Sequence, residues 1–253
     1  MSVRFTSTKL VNSNKKGILS PDANGYYEII LGGLNTFNSA GEYYVLEGAK
    51  QLFESSSIFM RRVKSGCLKS ELGHPKQLPG MSSDQYLQRI LTIEETNVIA
   101  HISEIWLDES FGKKNPSFNN PSLVAIMGKV KPAGPHANVL KEALANGQED
   151  VCFSIRALTQ DYYDRGQTYR ILKQIVSFDQ VGESGLSLAR KYHAPGLESV
   201  SETIVTTKAL ERVITSKTSS VSTEDSKNIA VACLESIKTN VPKSIEKPFV
   251  NKW

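Results

Sequence analysis

Two β-rich segments close together in the 253-residue chain constrain its fold more than any other feature. Val151 to Leu158 and Tyr169 to Val181 are dense in β-branched and aromatic residues, and the polar stretch Thr159 to Gln167 between them contains Gly166, so the pair reads as an antiparallel hairpin. Successive side chains of a strand point to opposite faces. Val151, Phe153, Ile155 and Ala157 therefore form a core face, while Cys152, Ser154 and Arg156 share the other. A serine and an arginine on that second face would ordinarily mark a solvated sheet surface. Asp179, 25 residues beyond Ser154 on the neighbouring strand, falls within one or two strand spacings of it, about 5–10 Å.

The rest of the chain is mixed. Gly25 to Leu31 is β-rich and runs into the Gly32-Gly33 turn signal, and Glu42–Leu46 and Ile58–Val63 flank a short helix-like stretch, Glu47 to Glu54. Gly66 to Pro75 reads as a loop or broken strand. Val98–Leu107 and Leu123–Val130 read as strands around Asp108 to Pro121, a surface insertion or flap. Pro135 to Gly147 has proline at its start, apolar residues at helical spacing and glycine at its end, the signature of a helix. Beyond Gly185 the composition shifts: Ser199 to Ser226 holds 13 Ser or Thr in 28 residues. A final helix is expected from about Ser222 to Lys238, with a loose tail after Asn240.

Several classes are disfavoured. The longest apolar run is the six residues Ile229–Leu234, and the first twenty residues lack an apolar signal core, so neither secretion nor membrane spanning is expected. Three scattered cysteines without C-x-x-C spacing suggest no disulfide framework or zinc ribbon. No two histidines share a zinc-like spacing, so no metal is expected. Thirty basic against 26 acidic side chains give a net charge of +4, too little to call for nucleic acid.

Of the four histidines, His101, His136 and His193 read as structural or solvated. His74 sits in Gly-His-Pro, where glycine lets the backbone bend and proline stiffens the far side, holding the imidazole on a fixed support. Serine is a weak nucleophile without a base, and the imidazole base needs an acceptor on its other nitrogen. Spacing alone does not assemble His74, Ser154 and Asp179 into such a unit.

Taken in order, Asn35-Thr-Phe-Asn-Ser-Ala-Gly-Glu-Tyr-Tyr44 with the stretch to Phe53, Gly-His-Pro at 73–75, Ser-x-Arg at 154–156 and Phe-Asp at 178–179 resemble the prohead maturation proteases of tailed bacteriophages, of the T-even type and its giant-phage relatives. The resemblance implies a serine endopeptidase with His74 as general base and acid, Ser154 as nucleophile and Asp179 as orienter, acting through an acyl-enzyme. It implies an α+β fold like the herpesvirus assemblins, a β-barrel or strongly curved, mostly antiparallel sheet surrounded by helices. The resemblance implies an oxyanion held by backbone amides with help from an arginine, an assignment open between Arg156, the better candidate, and Arg190, the arginine nearest downstream of Asp179. The relatives cut after glutamate, so a cationic substrate pocket is expected, with Arg61 and Arg62, then Lys64 and Lys69, as suppliers.

Phage scaffold, core and capsid proteins are the implied substrates, inside the assembling prohead in the host cytoplasm, with no cofactor, nucleic acid or membrane required. Assemblin analogy suggests a homo-oligomer. The protease domain is expected at 1–198, with 108–121 inserted, and a Ser/Thr-rich extension with a terminal helix at 199–253. Gly196-Leu-Glu198, Ala209-Leu-Glu211 and Ser244-Ile-Glu246 in the last third are candidate self-cleavage motifs, whose use would leave the core intact. Two rivals stand beside this reading: a non-enzymatic scaffold or core protein of the same assembly, and cysteine chemistry at Cys152.

Overall fold

A computed structural model of the chain describes residues 2–11, 19, 21–38, 40–182, 202–216 and 221–239. The strands are β1 (Ser2–Val11), β2 (Tyr27–Leu34), β3 (Thr36–Phe37), β4 (Tyr43–Tyr44), β5 (Lys69–Glu71), β6 (Val98–Asp108), β7 (Val124–Pro132), β8 (Cys152–Asp164), β9 (Gln167–Val181) and β10 (Glu202–Thr206). The α-helices are α1 (Ile58–Lys64), α2 (Ser83–Leu91), α3 (Phe111–Lys114), α4 (Ala137–Ala145), α5 (Thr207–Thr215) and α6 (Val221–Thr239).

Six strands form one sheet in the order β10-β1-β8-β9-β4-β3, and four form a second in the order β2-β7-β6-β5. Their described pairings are antiparallel except β4 on β9. A parallel bridge between Leu72 and Gln180 ties the end of the four-stranded sheet to β9. The α+β class and the antiparallel bias are as expected; the barrel alternative is not. Among the described residues the larger sheet ends at β10 on one side and the two-residue β3 on the other, so it stays open.

The hairpin turns at Arg165-Gly166, with φ of 49° and 81°, the left-handed pair that a two-residue loop with the twist of its strands requires. Much of the polar stretch expected to be loop is therefore strand, with Asp164 paired to Gln167. Cross-strand aromatics hold it: Tyr162 stacks on Tyr169 at 5.0 Å, Tyr169 meets Tyr43 at 5.6 Å and Tyr43 meets Phe37 at 4.9 Å. Arg170, wholly buried, donates to Asp161 Oδ2 at 2.8 Å and Glu42 Oε1 at 2.7 Å. Glu42 is itself fixed by Asn38, whose side chain accepts its N–H at 2.8 Å. The Asn35–Tyr44 pattern thus clamps β3 and β4 onto β9.

The main core lies between the sheets, where Phe153, Ile155 and Ala157 of β8 and Phe178 of β9 meet Ile29, Leu31, Ile102 and Ile126. A second core covers the opposite face of the hairpin: Leu158 and Val176 pack with Tyr86 and Ile90 of α2, Leu210 and Val213 of α5, and Ile229, Cys233 and Ile237 of α6. α2 lies in a stretch with no sequence-based expectation, although Ser82 and Gln85 form a reciprocal capping box at its start. Between β6 and β7, Phe111 and Phe118 close over Leu123, Cys152 and Val181. The Ser154 face is consequently not a solvated surface; residues 152–159 are buried throughout. Of the candidate self-cleavage residues, Glu211 lies in α5, and Glu198 and Glu246 fall outside the described residues, as does the tail after Asn240.

Candidate active site

Ser154 and Asp179 stand directly opposite each other across β8 and β9, both wholly buried. The histidine arrives from the other sheet. β5 ends at Glu71, whose backbone N–H donates to Asp179 Oδ1 at 3.2 Å. Leu72 then bridges Gln180, and Gly73, at φ +75°, donates its N–H to the Gln180 carbonyl at 2.6 Å. Positive φ is cheap only for glycine, and this bend turns the next residue toward β8. Pro75 is buried on the far side, its carbonyl accepting from the Tyr86 hydroxyl of α2 at 3.1 Å. The Gly-His-Pro loop is pinned on both flanks, as its sequence suggests.

His74 Nδ1 lies 2.8 Å from Asp179 Oδ2, and Nε2 lies 2.5 Å from Ser154 Oγ. An ionised carboxylate only accepts hydrogen bonds, which assigns the ring proton to Nδ1 and leaves Nε2 to accept from the serine hydroxyl. Burial alone would push the Asp179 carboxyl up; the Arg156 guanidinium and the hydrogen bond from His74 outweigh it and hold it below the usual carboxylate range. The imidazole side chain is 11% exposed, so the relay opens to its surroundings on the histidine side. That geometry suits proton transfer from an alcohol that attacks a bound carbonyl.

Arg156 is elsewhere than expected. It is wholly buried and engaged with the carboxylate, with Nε on Asp179 Oδ2 and Nη2 on Asp179 Oδ1, each at 2.7 Å. Its Nη1 donates to Glu71 Oε1 at 3.2 Å and to the Thr92 carbonyl at 3.1 Å. Burial disfavours the cation, but Asp179 and Glu71 more than restore it. Arg62 donates through Nη1 to the Val176 carbonyl at 2.7 Å, while Arg61 is exposed on α1 and Lys69 pairs with Glu95 at 2.6 Å. None of the three has a described bond to the side chains of His74, Ser154 or Asp179. Cys152 is buried among Leu123, Val181, Phe111 and Phe118.

His101 is bonded at both ring nitrogens, to the Tyr26 hydroxyl and the Gly66 carbonyl, each at 3.0 Å. His136 stands at the first position before α4 without a capping side-chain bond, and His193, like Arg190, lies outside the described residues. Among the described residues no group of three or more His, Cys, Asp or Glu could hold a metal ion, and no helix is long and apolar enough to cross a membrane. Two residues at the site stand outside the sequence-based expectations: Glu71, in the segment expected to be a loop or broken strand, and Arg89 on α2. The capping box and the spacing of Tyr86, Leu87, Ile90 and Leu91 could have revealed α2; nothing local announces Glu71.

The description of the matching family model is the peptidase S80 family, and the match spans residues 5–244. The capsid maturation protease of Pseudomonas phage phiKZ is 36% identical over 203 residues, 79% of this chain and 73% of that protein. A solved structure of the bacteriophage T4 capsid assembly protease covers 70% of this chain and 98% of its own, at 13% identity and a TM-score of 0.47.

Proposed function

The chain belongs to the peptidase S80 family, and on that premise we propose that it is the serine endopeptidase of phage head maturation, with His74, Ser154 and Asp179 as its catalytic triad. The observation that carries the serine assignment is the unbroken relay from Ser154 Oγ through both nitrogens of His74 to Asp179. His74 takes the hydroxyl proton as Ser154 attacks the scissile carbonyl, and Asp179 stabilises the imidazolium that forms. Backbone amides facing the developing oxyanion stabilise the tetrahedral intermediate. His74 then protonates the departing amine, and water repeats the sequence on the acyl-enzyme.

The substrates are scaffold, core and capsid proteins, met inside the assembling prohead in the host cytoplasm. Cleavage follows glutamate, a preference taken from the family resemblance; exposed Arg61 is the better placed of the two arginines to meet a substrate carboxylate, since Arg62 is engaged with Val176.

The test is labelling with a serine-directed phosphonate and mapping of the adduct by mass spectrometry. The adduct is expected on Ser154 and absent from Ser154→Ala, which also loses cleavage of head-protein peptides. A variant that still cleaves overturns the serine assignment. Paired peptides with Glu or Gln before the scissile bond test the specificity, and equal rates would reject it.

A further inference from the structure

A catalytic carboxylate needs one acceptor oxygen for its histidine, yet Asp179 receives four donors. Oδ2 accepts from His74 Nδ1 and Arg156 Nε, and Oδ1 from Arg156 Nη2 and the Glu71 N–H. Behind the guanidinium the charges alternate. Glu71, wholly buried, takes Arg89 Nη1 on Oε1 at 3.0 Å and Arg89 Nη2 on Oε2 at 2.5 Å. It also accepts from the Glu94 N–H at 2.8 Å and the Asn97 amide at 3.2 Å. Arg89 closes the chain on the Glu94 carboxylate at 3.0 Å.

Buried ion chains are weak devices for stability, because desolvation cancels much of the attraction and apolar residues of like volume often serve as well. What the fork on Asp179 does provide is geometry. A carboxylate held by the histidine alone could swing about its last torsion; here such a swing breaks two charge-assisted bonds at once. No substrate carbonyl reaches Arg156, which is 0% exposed, without dismantling both of its ion pairs.

We propose that Arg156 is a positioning residue for this peptidase rather than an oxyanion donor: its guanidinium locks both oxygens of Asp179 so that Oδ2 holds His74 with Nε2 aimed at Ser154, and Glu71 with Arg89 braces the guanidinium from behind. The proposal rests on the triad reading above. The charged groups around Asp179 are His74 and Glu71 on the β5 side, Arg156 on β8, and Arg89 of α2 with Glu94 behind it. Farther out lies Arg62 of α1, which senses both Arg156 and Asp225 of α6.

The experiment uses the full chain, with active sites counted by phosphonate labelling and rates given per labelled site. Arg156→Met is expected to lower kcat about 10²-fold, the scale of a small misplacement of the reacting groups, with KM nearly unchanged. Its acid limb of activity moves to higher pH, because burial then acts on the Asp179 carboxyl without its main opponent. Arg156→Lys restores the charge but not the fork, so the limb returns toward that of the parent while kcat recovers only in part. Glu71→Gln keeps the shape and removes a negative charge, so its limb does not move up.

An unmoved limb in Arg156→Met overturns the proposal, since an oxyanion donor or a purely structural arginine predicts that result. Should Arg156→Met fail to fold, Arg156→Lys decides, and a parental kcat per labelled site overturns the proposal. Failure of the triad itself shows separately, as activity in Ser154→Ala.

Discussion

Asp179→Asn replaces a carboxylate by an amide of the same shape and therefore isolates charge and hydrogen-bond sense. Of the four donors that converge on Asp179, those on the oxygen that becomes NH₂ would face another donor. If the amide nitrogen replaces Oδ2, His74 Nδ1 must turn acceptor and the proton moves to Nε2, where it blocks the serine. If it replaces Oδ1, Arg156 Nη2 and the Glu71 N–H are stranded. A wrong tautomer in a serine triad costs about 10⁴ in kcat, or about 5 kcal/mol of transition-state stabilisation.

Buried Arg156 keeps Glu71 but loses its closer ionic partner, which destabilises the fold by up to about 3–5 kcal/mol, the cost of a fully broken buried pair, or a drop in Tm of up to about 6–20 °C for a chain of this length. The stability gap also depends on pH. The folded Asp179 carboxyl titrates below its unfolded value, so its charge stabilises the fold fully above about pH 4 and less as pH falls through the folded value. The gap between parent and variant should narrow on acidification. Single-turnover peptide cleavage and thermal unfolding between pH 3 and pH 8 measure both effects. A kcat within tenfold of the parent, or a stability gap that widens in acid, would refute the relay and the charge reading respectively.

Ser154→Ala should fold like the parent, with Tm nearly unchanged, while kcat falls by about 10⁶-fold; an active variant points to another nucleophile. Gly73→Ala meets no atom within 4 Å of its new Cβ, so only the φ of +75° resists it. The cost is about 1–2 kcal/mol in Tm analysis together with a lower kcat as the imidazole shifts, and full activity would show that the bend does not aim the ring. A chain ending at Glu211 loses α6 and with it Ile229, Cys233 and Ile237 of the second core and the 2.8 Å contact of Ser226 with Thr92; it should be unfolded by circular dichroism, and a soluble, active product would refute an integral role for α6. Titration of native protein with an aromatic disulfide should find one thiol, exposed Cys67, and denatured protein three, because Cys152 is buried and burial pushes the Cys233 thiol up to about 12. Two fast thiols in the native state would contradict that burial.

Local pattern told a good deal. The alternation in 151–158 placed Ser154 and Arg156 on one strand face, the next strand brought Asp179 beside them, and Gly-His-Pro marked a stiffly held imidazole. Proline and glycine bounded α4, partial alternation marked β6, and a buried-strand pattern marked β7. These signals are legible because side-chain periodicity and backbone preference act over a few residues. The polar stretch 159–164 misled for the same reason: its strand state is set by aromatic partners on β9 and β4, which lie outside any local window.

Tertiary structure alone decided the rest. It covered the serine face with a second core, which turned an apparently solvated surface into a buried site. It carried His74 across 80 and 105 residues to its two partners, through β5 seated beside β9. It also turned Arg156 toward Asp179 and Glu71 and supplied Arg89 from α2. A strand's pattern fixes which way a side chain points but not what waits there; a buried charge takes its direction from the opposite charges that the whole chain brings within a few ångströms of it.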